Sequence, residues 1–131
     1  MQQGKVVFPL ILWLAALAMA SATAGAAADK SPQLARVVYL TTTKACGCTL
    51  ERCQAGDVLV NQVFAGARPG LLQRLDYAQD KGKAKELIKR YHIFALPALL
   101  FLDAQGNLLW SAVGELAGQP LAEKLAQFGG G

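Results

Sequence analysis

The chain has a single histidine, His92, and only three cysteines among 131 residues. No pair of carboxylates stands out as an acid–base couple. Asp76, Asp80 and Asp103 fall among turn-forming residues and read as turn and surface groups. Charge is modest: 13 Lys and Arg face 9 Asp and Glu. The densest basic run, Lys81-Gly82-Lys83-Ala84-Lys85 with Lys89 and Arg90, has no interleaved aromatics. It reads as the solvated face and end of a helix, and it argues against a nucleic-acid partner. There are no internal repeats. From Val6 to Ala28 there is no charge of either sign.

That uncharged stretch accounts for the start of the chain. Lys5 precedes the apolar run Val6–Ala20, and the small residues Ser21-Ala22-Thr23-Ala24-Gly25-Ala26-Ala27-Ala28 follow. This is the order of a secretory signal peptide over residues 1–28, with Ala-x-Ala sites ending at Ala22, Ala26 or Ala28. The alternative is an uncleaved N-terminal membrane anchor, since a bilayer needs about 20 apolar residues. Small alanines and Pro9 weaken that span. Loss of residues 1–28 removes Lys5 and no acid, leaving 12 Lys and Arg against 9 Asp and Glu, a net of +3. Residues 29–33 read as a linker, 34–128 as one domain and 129–131 as a disordered glycine tail. Export places the domain in the periplasm or outside the cell, where cysteines pair or exchange.

Within the domain, Arg36–Leu40 is a compact run of strand formers without full alternation, as for a strand buried on both faces. Thr41-Thr42-Thr43 extends it or caps the turn. A helix follows the cysteines, with Thr49 suited to cap it and Gly56 as its weak point. Val58, Leu59, Val63 and Phe64 suggest its apolar stripe. Residues 65–70 form a loop, and Leu71–Tyr77 a second strand. Lys83–Tyr91 is a helix with Ala84, Leu87, Ile88 and Tyr91 on one face. Ala98–Leu102 is a near-continuous apolar strand, with a tight turn at 103–106 and a returning strand at Asn107–Val113. Phe101 and Trp110 read as core or half-buried strand aromatics. Pro120–Phe128 is a last helix, presenting Leu121, Leu125 and Phe128, with Pro120 in its first turn. The order β-α-β-α-β-β-α implies an α/β domain, a mixed central sheet with helices on both faces.

All three cysteines, Cys46, Cys48 and Cys53, lie within eight residues at the junction of the first strand and first helix. Thiols there gain from the unsatisfied N–H groups and positive end of the helix dipole, which favour the nucleophilic thiolate. A Cys46–Cys48 disulfide closes a very small ring, and strained disulfides are more easily reduced. Cys53 lies five residues beyond Cys48, about 140° around a regular helix and about 7.5 Å along it, so those two cannot pair if both are helical. Cys46–Cys48 is the first choice, Cys46–Cys53 the second and Cys48–Cys53 the last. Cys46 belongs to both favoured pairs and is the candidate nucleophile. One alternative is a static staple with a free third thiol, although such short loops stabilise little. Another is a metal site: three thiolates suit Cu(I) or zinc, and His92 is the one available imidazole.

The segment Tyr91-His92-Ile93-Phe94-Ala95-Leu96-Pro97-Ala98-Leu99-Leu100-Phe101-Leu102-Asp103-Ala104-Gln105-Gly106 resembles the thioredoxin-like superfamily. It shows a tyrosine-ended helix, a short connection, a proline, an apolar strand and a glycine turn. Gly114 resembles the glycine after the last strand of that family. The resemblance covers residues 34–128. It implies a thioredoxin fold, a cis peptide at Pro97 and a backbone edge at Leu96–Pro97 that takes a substrate peptide. Two features depart from the pattern. Cys46-Gly47-Cys48 is one residue shorter than the family's Cys-x-x-Cys, and Val37–Leu40 carry no buried carboxylate. The second departure argues against a fast general reductase. The reading is an exported, monomeric thiol–disulfide exchange protein acting on protein thiols through Cys46, Cys48 and Cys53, without a cofactor. The alternatives are a Cu(I)- or zinc-binding protein and a non-catalytic interaction domain.

Overall fold

A computed structural model describes residues 33–129; the expected leader lies outside the described residues. Strand β1 (Arg36–Thr41) is followed by α1 (Gly47–Val63), β2 (Leu72–Asp76), α2 (Lys81–Tyr91), β3 (Ala98–Leu102), β4 (Leu108–Val113) and α3 (Gly118–Gln127). The sheet order is β2-β1-β3-β4. β1 runs parallel to β2 and antiparallel to β3, and β3 and β4 form the antiparallel hairpin. This is the mixed sheet that the element order implies.

The two central strands read as unbroken apolar runs because both of their faces are covered. Val37, Tyr39, Leu99 and Phe101 point to one side, against Val60 and Phe64 of α1 and Leu121 and Leu125 of α3. Val38, Leu40, Leu100 and Leu102 point to the other, against Ala84 of α2. Alternation with a period of two gives the sheet two separate cores. Phe101 anchors the first: its ring meets Phe64, Trp110 and Phe128 edge-on, with centroids 6.3, 5.1 and 6.2 Å away. The stripe expected on α2 is found as read, with Ala84, Leu87, Ile88 and Tyr91 all packed on the second core.

Helix α1 differs from expectation in three ways. It starts earlier: Cys46 is its N-cap and Gly47 its first residue, so Thr49 does not cap it. The helix runs through Gly56 without a break. Its inward face is Cys53, Gly56, Val60 and Phe64, while Val58 is 57 % exposed. Of the expected stripe, Leu59, Val63 and Phe64 do pack on the first core and only Val58 turns out; counting large apolar residues alone missed Cys53 and Gly56, which carry the inward face towards the N-terminus of the helix. Gly56 is needed for closeness. A Cβ there would lie 2.8 Å from the Tyr39 hydroxyl and 3.2 Å from Cγ of Pro97.

The strand ends place the site. Leu40 pairs with Ala98, Thr41 with Asp76, and Ala98 with Val113. The β1–α1 turn, the segment after β2, Pro97 and Gly114 therefore share one end of the sheet. The Leu96–Pro97 peptide is cis, as the resemblance implies. Gly114, at φ 85°, donates its N–H to the Pro97 carbonyl at 2.7 Å and ties the segment after β4 to the proline.

Candidate active site

The turn that carries the thiols is built by short polar side chains. Asp76 at the end of β2 accepts from the Thr43 hydroxyl at 2.6 Å and the Thr43 N–H at 3.2 Å. It also accepts from the Ala78 N–H at 2.9 Å, so one carboxylate fastens the turn after β1 to the turn after β2. Those donors hold its carboxyl below the usual carboxylate range, the Thr43 hydroxyl contributing most. Thr42 donates to the Lys44 carbonyl at 3.0 Å and closes the turn just before the cysteines.

Cys46 then opens α1. Its carbonyl accepts the Thr49 and Leu50 N–H groups at 3.1 and 3.0 Å, while its side chain is exposed. The Thr49 hydroxyl, freed from capping, lies 3.3 Å from the Cys46 sulfur. This contact, followed by the Thr49 N–H, draws the Cys46 thiol below its ordinary value; Arg52 adds a smaller push in the same direction. Cys48 is also exposed, in the first turn of the helix, and its carbonyl accepts from Nε of Arg52 at 3.3 Å.

Cys53 stands apart. It is buried, 1 % exposed, on the inner face of α1. With Cys46 at the cap, Cys53 is two turns on, about 10 Å along the axis. That is beyond the Cα separation a disulfide spans. Cys48 and Cys53 are both helical and fall under the exclusion already given. Only Cys46 and Cys48 are neighbours in this arrangement. All three thiols are free, and among the described residues no group of three or more His, Cys, Asp or Glu side chains is placed to hold a metal ion. The three-cysteine metal arrangement therefore has no counterpart here. His92 caps α2 in the left-handed conformation, φ 55°, with its side chain exposed.

Around Cys53 lies a polar cluster that sequence reading missed. The Tyr39 hydroxyl donates to the Cys53 carbonyl at 3.2 Å, inside the first core. Burial, then the nearby Asp57 carboxylate, push its ionisation above the usual phenol range. Asp57 lies 3.6 Å from Arg74, whose guanidinium stands over the Tyr39 ring at 5.3 Å. The carboxylate beside Tyr39 therefore comes from α1, with its side chain 42 % exposed. Periodicity gave no sign of it, because Asp57 looks like any solvated helix residue. Phe94, three residues before Pro97, is 86 % exposed, and Leu96 is half-buried. Leu96 offers its N–H and C=O to no backbone partner among the described residues.

No family model matches the chain, and no curated protein is significantly similar to it. Solved structures do match. The reduced C-terminal domain of DsbD from Neisseria meningitidis superposes with a TM-score of 0.55 at 16 % identity, covering 73 % of this chain and 82 % of that one. Thioredoxin-2 of the malaria parasite, described as a component of its protein secretion machinery, gives 0.52 at 12 % identity over 76 % and 86 %. Oxidised thioredoxin O2 from Arabidopsis thaliana gives 0.50 at 18 % identity over 72 % and 75 %. The chain has a thioredoxin-like fold. No helix among the described residues is long and apolar enough to cross a membrane.

Proposed function

We propose that the protein is an exported thiol–disulfide exchange protein acting on protein partners, with Cys46 as nucleophile and Cys48 as resolving thiol. The single observation that carries this is the Cys46 sulfur: exposed at the N-terminus of α1, held 3.3 Å from the Thr49 hydroxyl and drawn towards the thiolate. An exposed thiol whose surroundings favour ionisation suits exchange better than a structural staple.

The Cys46 thiolate attacks one sulfur of a partner disulfide, forming a mixed disulfide and releasing the other partner sulfur as thiolate. The Cys48 thiolate then attacks the Cys46 sulfur, forming Cys46–Cys48 and releasing the second partner thiolate. The partner gains two electrons and the protein loses two. The strain of the small ring favours the reverse direction, in which Cys46–Cys48 is donated to a reduced partner. Leu96 supplies a free backbone edge beside Pro97 for an extended partner segment. Cys53 takes no direct part, a narrower role than the sequence alone suggested.

The test is disulfide exchange with a model protein substrate. Cys46→Ser is expected to lower the rate at least about a hundred-fold with an unchanged circular dichroism spectrum. Cys48→Ser is expected to accumulate a mixed disulfide visible by intact mass. Full activity in folded Cys46→Ser overturns the assignment. The same spectra, taken on protein from the exported fraction, show whether residues 1–28 have been removed.

A further inference from the structure

We propose that the partner segment this site takes carries a basic side chain beside its cysteine, received between Glu51 and Glu115, and an apolar side chain that covers Phe94. The proposal deepens the exchange reading by naming its substrate class, and it rests on that reading for the role of the thiols.

Two concavities open at the thiol end of the sheet, one on each side of Pro97. The first, about 230 Å³, lies between α1 and the segment after β4, with Glu51 and Arg52 on one wall and Glu115 and Leu116 on the other. It opens one helical turn along α1 from the thiols, because Glu51 and Arg52 sit three and four residues after Cys48. Its far wall is tied to the proline through the Gly114–Pro97 hydrogen bond. Arg52 turns its Nε back onto the Cys48 carbonyl. Neither Glu51 nor Glu115 has an ion-pair partner among the described residues. Glu51 and Glu115 line one groove together and outnumber the single guanidinium of Arg52, a local negative excess that suits a lysine or arginine, whose aliphatic stem can lie along Ala55 and Leu116.

The second concavity, about 240 Å³, lies on the α2 side and is lined by Tyr77, Ile88, Ile93, Phe94, Ala95 and Leu96. Phe94 stands over it almost fully exposed. An aromatic ring left in water next to a free backbone edge is what an apolar partner residue would cover. An extended segment alternates its side chains, so one laid across Leu96 presents neighbouring residues to opposite sides of Pro97.

Long-range charge works against this selectivity, which makes it diagnostic. The whole chain carries +4, and its general field favours acidic partners. A preference for basic segments has to come from the local carboxylates.

The experiment uses the full chain and cysteine peptides with Lys or Glu, and Leu or Ser, at the flanking positions. Exchange is read as release of thionitrobenzoate from each peptide's mixed disulfide. Binding is read separately, by anisotropy of labelled S-methylcysteine peptides on Cys46→Ser/Cys48→Ser protein, which cannot exchange. The Lys/Leu peptide is expected to bind and react roughly five-fold better than the Glu/Leu peptide at low salt, the scale of a few exposed ion pairs. That margin is expected to vanish in 0.5 M salt (roughly half the usual Debye length) and in Glu51→Gln/Glu115→Gln. Phe94→Ser is expected to remove the advantage of Leu over Ser. Equal binding of Lys and Glu peptides, or a Lys preference that survives in the double variant, overturns the proposal. Exchange without selectivity sinks the proposal and spares the exchange reading. Selective binding without exchange does the reverse.

Discussion

At the scale of single residues, the lowered pKa of the Cys46 thiol owes most to one hydroxyl. Thr49 does not cap α1, so its oxygen is available to the sulfur in front of it. Hydrogen bonding to the charged form lowers a pKa, and removing the bond raises it. Thr49→Val is therefore expected to move the midpoint of the pH profile of Cys46 alkylation up towards the ordinary thiol range. Its rate at pH 7 should fall, since less thiolate is present below the raised midpoint. Mass-resolved iodoacetamide labelling checks this, and an unmoved midpoint would mean that the helix terminus alone sets the thiolate.

At the scale of the element, α1 is held close to β1 by a missing side chain. Gly56 lies so near Tyr39 and Pro97 that a methyl group has no room. Gly56→Ala is expected to destabilise the fold by about 1–3 kcal/mol through overpacking, partly offset by about 1 kcal/mol of helix propensity. Gly82, in the first turn of α2, has nothing within 4 Å of its would-be Cβ. Gly82→Ala is expected to stabilise by up to about 1 kcal/mol. Urea unfolding of both variants decides the matter: a net gain from Gly56→Ala would show that α1 can shift outward at little cost.

At the scale of the whole molecule, the thiols divide by exposure. Cys46 and Cys48 face solvent, while Cys53 lies in the inner layer between α1 and the sheet. Titration of the reduced native protein is expected to show two fast thiols. The third should appear only with the denaturant transition, because α1 must leave the sheet to expose it. Three fast thiols in native buffer would mean that α1 opens locally.

Much of this was legible in the residues. The continuous apolar runs of β1 and β3, the stripe of α2 and the turn at Gly106 carry local signals, and the Pro97 segment carried the family resemblance. The crowding of thiols at a strand-to-helix junction was equally plain. What the sequence could not decide was phase and proximity. Whether Cys53 turns inward depends on the rotation of α1, which Gly56 sets by its fit against Tyr39 and Pro97. The carboxylate beside Tyr39 comes from Asp57, 18 positions along the chain. Glu51 and Glu115, 64 positions apart, line one groove, with the Gly114–Pro97 bond tying the segment after β4 to the proline beside α1. Local pattern determines which elements form, because backbone hydrogen bonding and burial are read over a few residues. Which side chains meet at the site is decided by packing between elements distant in sequence, and no local period records it.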